Sequence, residues 1–186
     1  AISGKAVSLD DVGPPMPAMR HTSALLKAGK PVKVLAMPPF DKLIGPALEH
    51  LYPKAKVTTT LWPVEGQSLA QLELAAKKVR TMGMDLVLIA VPATANAASP
   101  EEFHKHYAWI MNWSLSFGPQ QWDVIVAPPS AAKPELSPDE RRHEDFALRL
   151  IAAQDLHALA RKTGDKNSTD ELLRHWLARH LQDGTK

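Results

Sequence analysis

Two rhythms of apolar residues alternate along the chain. The first is a short unbroken run, as in Val34-Leu35-Ala36-Met37, closed by Pro38-Pro39. A run that is apolar without alternation reads as a strand buried on both faces, and it predicts strand one over Val32–Met37. The second is a helical period. From Asp41, residues Leu43, Ile44, Ala47, Leu48 and Leu51 fall on one face until Tyr52-Pro53 ends the segment. The two rhythms then repeat. Val57–Trp62 is β-branched and aromatic and predicts strand two. Ser68–Met82 predicts a helix with Leu69, Leu72, Leu74, Ala75 and Val79 inward, stopped by Gly83. Asp85–Val91 is apolar after its first residue and predicts the central strand. Pro100–Phe117 predicts a helix with Pro at its first position, and Trp122–Ala127 predicts strand four, closed by Pro128-Pro129. Ser137-Pro138-Asp139-Glu140 opens a long helix expected to run to Lys162, before Thr163-Gly164. Ser168-Thr169-Asp170-Glu171 caps a last helix ending at Leu181.

Ahead of these elements, His21–Ala28 predicts one or two helical turns. Residues 1–20, rich in Gly, Pro and Met, predict an extended arm outside a single α/β domain of residues 21–186. Strands alternating with long helices imply right-handed crossovers and a parallel sheet between two helical layers. The predicted fold is therefore a three-layer α/β/α sandwich with a flavodoxin-like sheet of four strands, five at most. Ligands of such sheets bind at the carboxyl ends of the strands, which puts the turn Pro38-Pro39-Phe40 at the crevice.

Composition narrows the function classes. With 186 residues and 45 % hydrophobic content, a packed interior is expected. The net charge is +2 with basic residues spread along the chain, so no basic stripe argues for nucleic acid. No apolar run approaches the ~20 residues of a membrane helix. Cysteine is absent, which excludes disulfides, thiolate metal sites and cysteine nucleophiles. The chain starts at Ala1 without Met, as a mature N-terminus or a cut within a longer chain would; the compartment stays open, with a secreted or periplasmic location expected ahead of a cytoplasmic one. The first strand–helix turn is Pro-Pro-Phe and lacks the glycines of a phosphate loop, so no nucleotide cofactor is implied.

The remaining polar groups read as follows. His104 and His106 point about 200° apart on a helix, so they form no shared metal site. Arg141-Arg142-His143-Glu144-Asp145 reads as a solvated helix face, as do His175 and His180 beside Arg174 and Arg179. Ser68 is a helix N-cap and a conceivable nucleophile. Thr94 and Asn96, in the loop after the central strand, are the polar groups best placed for a ligand.

On these blocks the chain resembles the SGNH (GDSL-type) hydrolases, esterases and acetylesterases on a flavodoxin-like sandwich. Leu26 to Leu35 resembles the lead-in to the first family block, and Leu51–Val57 with Val64–Leu72 resembles the second. Asp85–Ile89 resembles the strand before the third block, and Trp122–Pro129 resembles the fourth strand. The resemblance implies an oxyanion-hole glycine at Gly66. It also implies a nucleophile where Phe40 stands, the Gly-x-Asn-Asp block at Pro92–Ala95, and a base where Ser168 follows Asp165. Phe40, Thr94 and Ser168 are thus degenerate positions, and a covalent route needs a nucleophile and a positioned base. The long helix, ending at Gly164, leaves no room for the family's fifth strand.

The expected site is a crevice formed by Pro38, Pro39, Phe40, Asp41, Gly66, Ser68, Thr94 and Asn96. It holds a small-molecule or carbohydrate ligand without turnover, and Phe40 with the two prolines makes an apolar patch. The alternative is an active esterase in which Ser68 or Asp41 works with His104 or His175. A scaffold role through the Pro-rich arm and exposed tryptophans is a third reading.

Overall fold

The computed structural model describes residues 19–92, 99–116 and 121–181. Helix α1 (Arg20–Lys27) is followed by β1 (Val32–Ala36), α2 (Phe40–Leu51), β2 (Val57–Leu61) and α3 (Leu69–Ala76). Then come β3 (Leu86–Ile89), α4 (Pro100–Ser114), β4 (Asp123–Val126), α5 (Pro138–Ala153) and α6 (Thr169–Leu181). The four strands are parallel in the order β2-β1-β3-β4. The N-terminal arm falls outside the described residues apart from Met19 and Arg20, and Met19 is buried in the core.

Both faces of the sheet are covered, which is why its inner strands are apolar apart from the exposed Lys33 near the start of β1. Val34, Ala36, Leu86, Leu88 and Ile125 face a layer made by α1, α2 and α6. Leu35, Val87, Ile89, Val124 and Val126 face α3, α4 and α5. The sheet ends at β2, whose Thr58, Thr60 and Leu61 are exposed, as an edge strand tolerates. Gly45 lets α2 approach that edge: a Cβ there would stand 3.4 Å from Thr59 Oγ1.

Two predicted boundaries and one predicted core position are corrected. Helix α3 stops at Ala76 and gives way to a 3-10 turn over Val79–Thr81. Leu74 is 59 % exposed because Leu69, Leu72 and Ala76 already form the inward face. The largest correction concerns α5, which ends at Ala153. Asp155 takes φ +53°, Leu156 N–H donates to Ile151 C=O (3.1 Å), and Asp155 N–H donates to Ala152 C=O (3.1 Å). This is a Schellman stop with Asp where Gly is usual. The chain then returns to the sheet beyond β4, where Ala158 bridges Val126 in parallel and Leu159 N–H donates to Val126 C=O (2.9 Å). The fifth strand position is therefore occupied, by a single bridge in place of a full strand.

Two aspartates at the amino ends of the strands anchor α1. Asp123 accepts from Thr22 N–H (2.6 Å) and His21 N–H (3.4 Å), so a carboxylate on β4 caps the first turn of α1. Asp85 accepts from Lys33 N–H (2.8 Å) and meets His21 Nε2 (2.9 Å). Burial pushes the Asp123 carboxyl up against those donors.

Candidate functional site

The carboxyl ends of β1, β3 and β4 lead into three proline-bearing turns. After β1, Met37 N–H donates to Leu88 C=O (3.1 Å), the Pro38–Pro39 peptide is cis, and Phe40 opens α2 with its N–H on Met37 C=O (3.0 Å). After β3 come Ala90, Val91 and Pro92. After β4, Ala127 N–H donates to Ile89 C=O (2.8 Å), and Pro128 leads into a 3-10 turn over Pro129–Ala131. Between these turns lies a cavity of about 210 Å³, walled by Pro38, Ala90, Val91, Pro92, Ala127 and Pro128. Its polar side is one ion pair. Lys133 Nζ stands 2.8 Å from Glu140 Oε1 and 2.6 Å from Oε2, and the Lys133 hydrogen bond holds the Glu140 carboxyl below the usual range.

Phe40 reaches this cavity only as its floor. The ring is fully buried with Ile44, Leu88 and Ala127 under α2, so the expected aromatic patch is a core residue instead. Pro38 lines the cavity as expected, while Pro39 is exposed and does not. Asp41, in the first turn of α2, is not in the lining either. Gly66 supplies the positive φ (+71°) of the loop after β2 and stands outside the cavity. Ser68 is the N-cap of α3 in a capping box: its Oγ accepts from Gln71 N–H (3.1 Å), and its own N–H donates to Gln71 Oε1 (2.8 Å). Ser168 forms the same box with Glu171 at the start of α6 (3.1 and 2.8 Å). Both serines thus serve helix ends. Thr94 and Asn96 lie outside the described residues.

The histidines are spent elsewhere. His104 stacks on Phe146 between α4 and α5 (ring centroids 3.7 Å), and burial lowers its pKa. His106 turns the other way, to Glu73 on α3 (Nδ1 to Oε2, 2.6 Å). His175 is exposed on α6. Among the described residues, the closest histidine–carboxylate pairs are His21–Asp85 at the amino ends of the strands and His106–Glu73 between α3 and α4. Among the described residues, no hydroxyl or imidazole lines the cavity.

Behind the crevice is a buried polar network that the sequence did not mark. Ser130 Oγ donates to Glu144 Oε1 (2.5 Å), and Ser130 N–H donates to Oε2 (2.9 Å). Arg161 N–H donates to Ser130 Oγ (3.0 Å), Arg161 Nε donates to Ser130 C=O (2.9 Å), and the same guanidinium bonds Asn167 C=O. Burial raises the Glu144 carboxyl above its ordinary value while the Ser130 donors oppose the rise. One serine therefore joins the turn after β4 to α5 and to the loop before α6. The available signal was the second Pro-Pro pair, Pro128-Pro129, which lies across the cavity from Pro38.

Neither a family model nor a curated protein sequence matches the chain. A solved structure does: a two-domain esterase active on acetylated mannans, crystallised with mannopentaose. It superposes with a TM-score of 0.58 at 9 % identity, covering 86 % of this chain and 52 % of that protein. The fold is esterase-like. The chain spans about half the length of the protein it matches.

Proposed function

We propose that this domain is a degenerate SGNH-type relative that binds, without hydrolysing, an acyl-bearing ligand such as an acetylated carbohydrate. The observation that carries the reading is Phe40. At the position where the resemblance puts the attacking oxygen, the chain has a fully buried ring. Two features support it further. The cavity lining offers carbon walls with one ion pair, and its volume of about 210 Å³ lies below the ~300 Å³ of ordinary small-molecule pockets. It suits a single small acyl group better than a whole sugar. The position of the expected base is a helix cap, Ser168. The structural neighbour acts on acetylated mannans, which makes acetylated manno-oligosaccharides the natural probe.

The test pairs turnover with binding. The domain should leave p-nitrophenyl acetate and acetylated manno-oligosaccharides unhydrolysed above background. It should bind the latter saturably in calorimetry. Ala132 is exposed on the cavity rim, so Ala132→Trp should plug the site without harming the core and abolish that binding. Hydrolysis that is lost on treatment with diisopropyl fluorophosphate would overturn the proposal.

A further inference from the structure

A second, larger cavity lies away from the crevice. It measures about 510 Å³, within the ~300–1,000 Å³ typical of small-molecule sites, and it opens at the free edge of the sheet beyond β4. Its walls are α5, α6 and the returning segment around Ala158. Its lining carries Arg141, Arg161, Lys162 and Arg179 against Glu144 and Asp145. That surplus of two positive charges equals the net charge of the whole chain, +2.

The distribution of those charges matters more than their sum. Arg161 is buried, turned to Ser130 and Asn167 and 3.8 Å from Asp165, while Glu144 is turned to Ser130 and the Arg141 charge favours its ionised form. What faces the open space is Arg141 on α5, Lys162 on the returning segment and Arg179 on α6, with Asp145 as the remaining carboxylate. Arg142 and Arg174 pair with Asp139 and Asp170 on their own helices. Among the described residues, Arg141 and Arg179 make no ion pair or side-chain hydrogen bond. Two guanidinium groups on different helices thus border one cavity with their donors unspent. The planar fork of arginine suits paired oxyanion oxygens. The floor supplies a ring surface: Trp176 is anchored through Nε1 to Ala158 C=O (3.0 Å), His180 stacks on it (3.9 Å), and His157 approaches His180 edge-on (5.2 Å).

We infer that this sheet-edge cleft is a binding site for a small ligand carrying at least two negative charges, held between Arg141 and Arg179 over the Trp176–His180 surface. The crevice plays no part in it. Three probes distinguish the sources of charge: inorganic pyrophosphate, a sugar phosphate and citrate. Each is titrated into the intact protein at low ionic strength and followed by calorimetry and by intrinsic tryptophan fluorescence, to which Trp176 contributes as one of five tryptophans. Saturable binding is expected for at least one. Preference for the first two marks a phosphorylated ligand, and equal binding of citrate marks a ligand recognised by charge and size alone.

Arg141→Gln and Arg179→Gln should each weaken binding roughly tenfold, the loss of about one charge-assisted contact. Lys30→Gln, which removes one charge at the far end of the sheet, should not. Arg141 and Arg179 are exposed, so both variants keep the fold, checked by circular dichroism. Absence of saturable binding for all three probes overturns the inference. So does binding that the two arginine variants leave unchanged.

Discussion

Phe40 separates two accounts of the crevice, and its substitution decides between them. If the ring were a contact surface for ligand, Phe40→Ala would cost little stability and would change binding. The structure instead buries it completely beside Ile44, Leu88 and Ala127. Removing roughly 150 Å² of apolar surface from water corresponds to about 4 kcal/mol at about 25 cal/mol per Å². That figure is an upper one, because the unfolded chain already hides part of its apolar surface. Truncating a core aromatic leaves a cavity that adds to the loss, and measured costs run to about 3–5 kcal/mol. We expect Phe40→Ala to destabilise by about 3–4 kcal/mol, a large share of the ~5–15 kcal/mol that holds a typical domain. Urea unfolding followed by tryptophan fluorescence reads this as a lower midpoint with an unchanged slope. Phe40→Leu should lose less, since it retains most of the volume. A loss for Phe40→Ala below about 1 kcal/mol, the range of surface substitutions, would refute the core assignment.

Two further outcomes are expected. Ser130→Ala removes the donor to Glu144 Oε1 and the acceptor for Arg161 N–H, both buried, and should cost about 2–4 kcal/mol in the same assay; a change under about 0.5 kcal/mol would show the network to be dispensable. His104, His143 and His180 all titrate below their ordinary value of 6.5, each chiefly through burial, so the folded state prefers them neutral. Their contribution is complete above pH ~6.5 and is lost as pH falls from there toward the folded-state values, so the urea midpoint should drop between pH ~7 and ~5.5, and a flat profile would contradict the burial of these rings.

How much of this was legible in sequence depended on whether the signal was local. The inner strands announced themselves because burial on both faces demands unbroken apolar runs, and β1, β3 and β4 fell where those runs do. The caps were equally readable: Ser68, Ser137 and Ser168 all bond the first turn of the helix that follows. The end of α5 was not readable. Its stop is Asp155 in a left-handed conformation, and a sequence reader looks for glycine there. Without that stop the helical pattern runs on to Gly164 and conceals the return to the sheet edge. Trp62 and Trp122 went to the core, while Trp113 lies half-buried under Lys77 and Arg80.

The crevice was half legible for a related reason. Its position follows from strand order, but its walls come from residues far apart in sequence, and only packing shows that Lys133 meets Glu140 across the mouth. Side-chain roles were harder still. Ser168 could be an altered catalytic position or a helix cap by sequence alone, and both descriptions fit the same residue. Its reciprocal bonds with Glu171 show what the position does in the fold: it satisfies the first turn of α6, the helix whose Leu173, Trp176 and Leu177 seal one face of the sheet. Ser130 acts similarly at the end of β4, holding α5 and the loop before α6 to the turn. The rim of the crevice in this esterase-like sandwich is therefore shaped by bonds that run through caps and carbonyls, and none of them requires a reactive side chain.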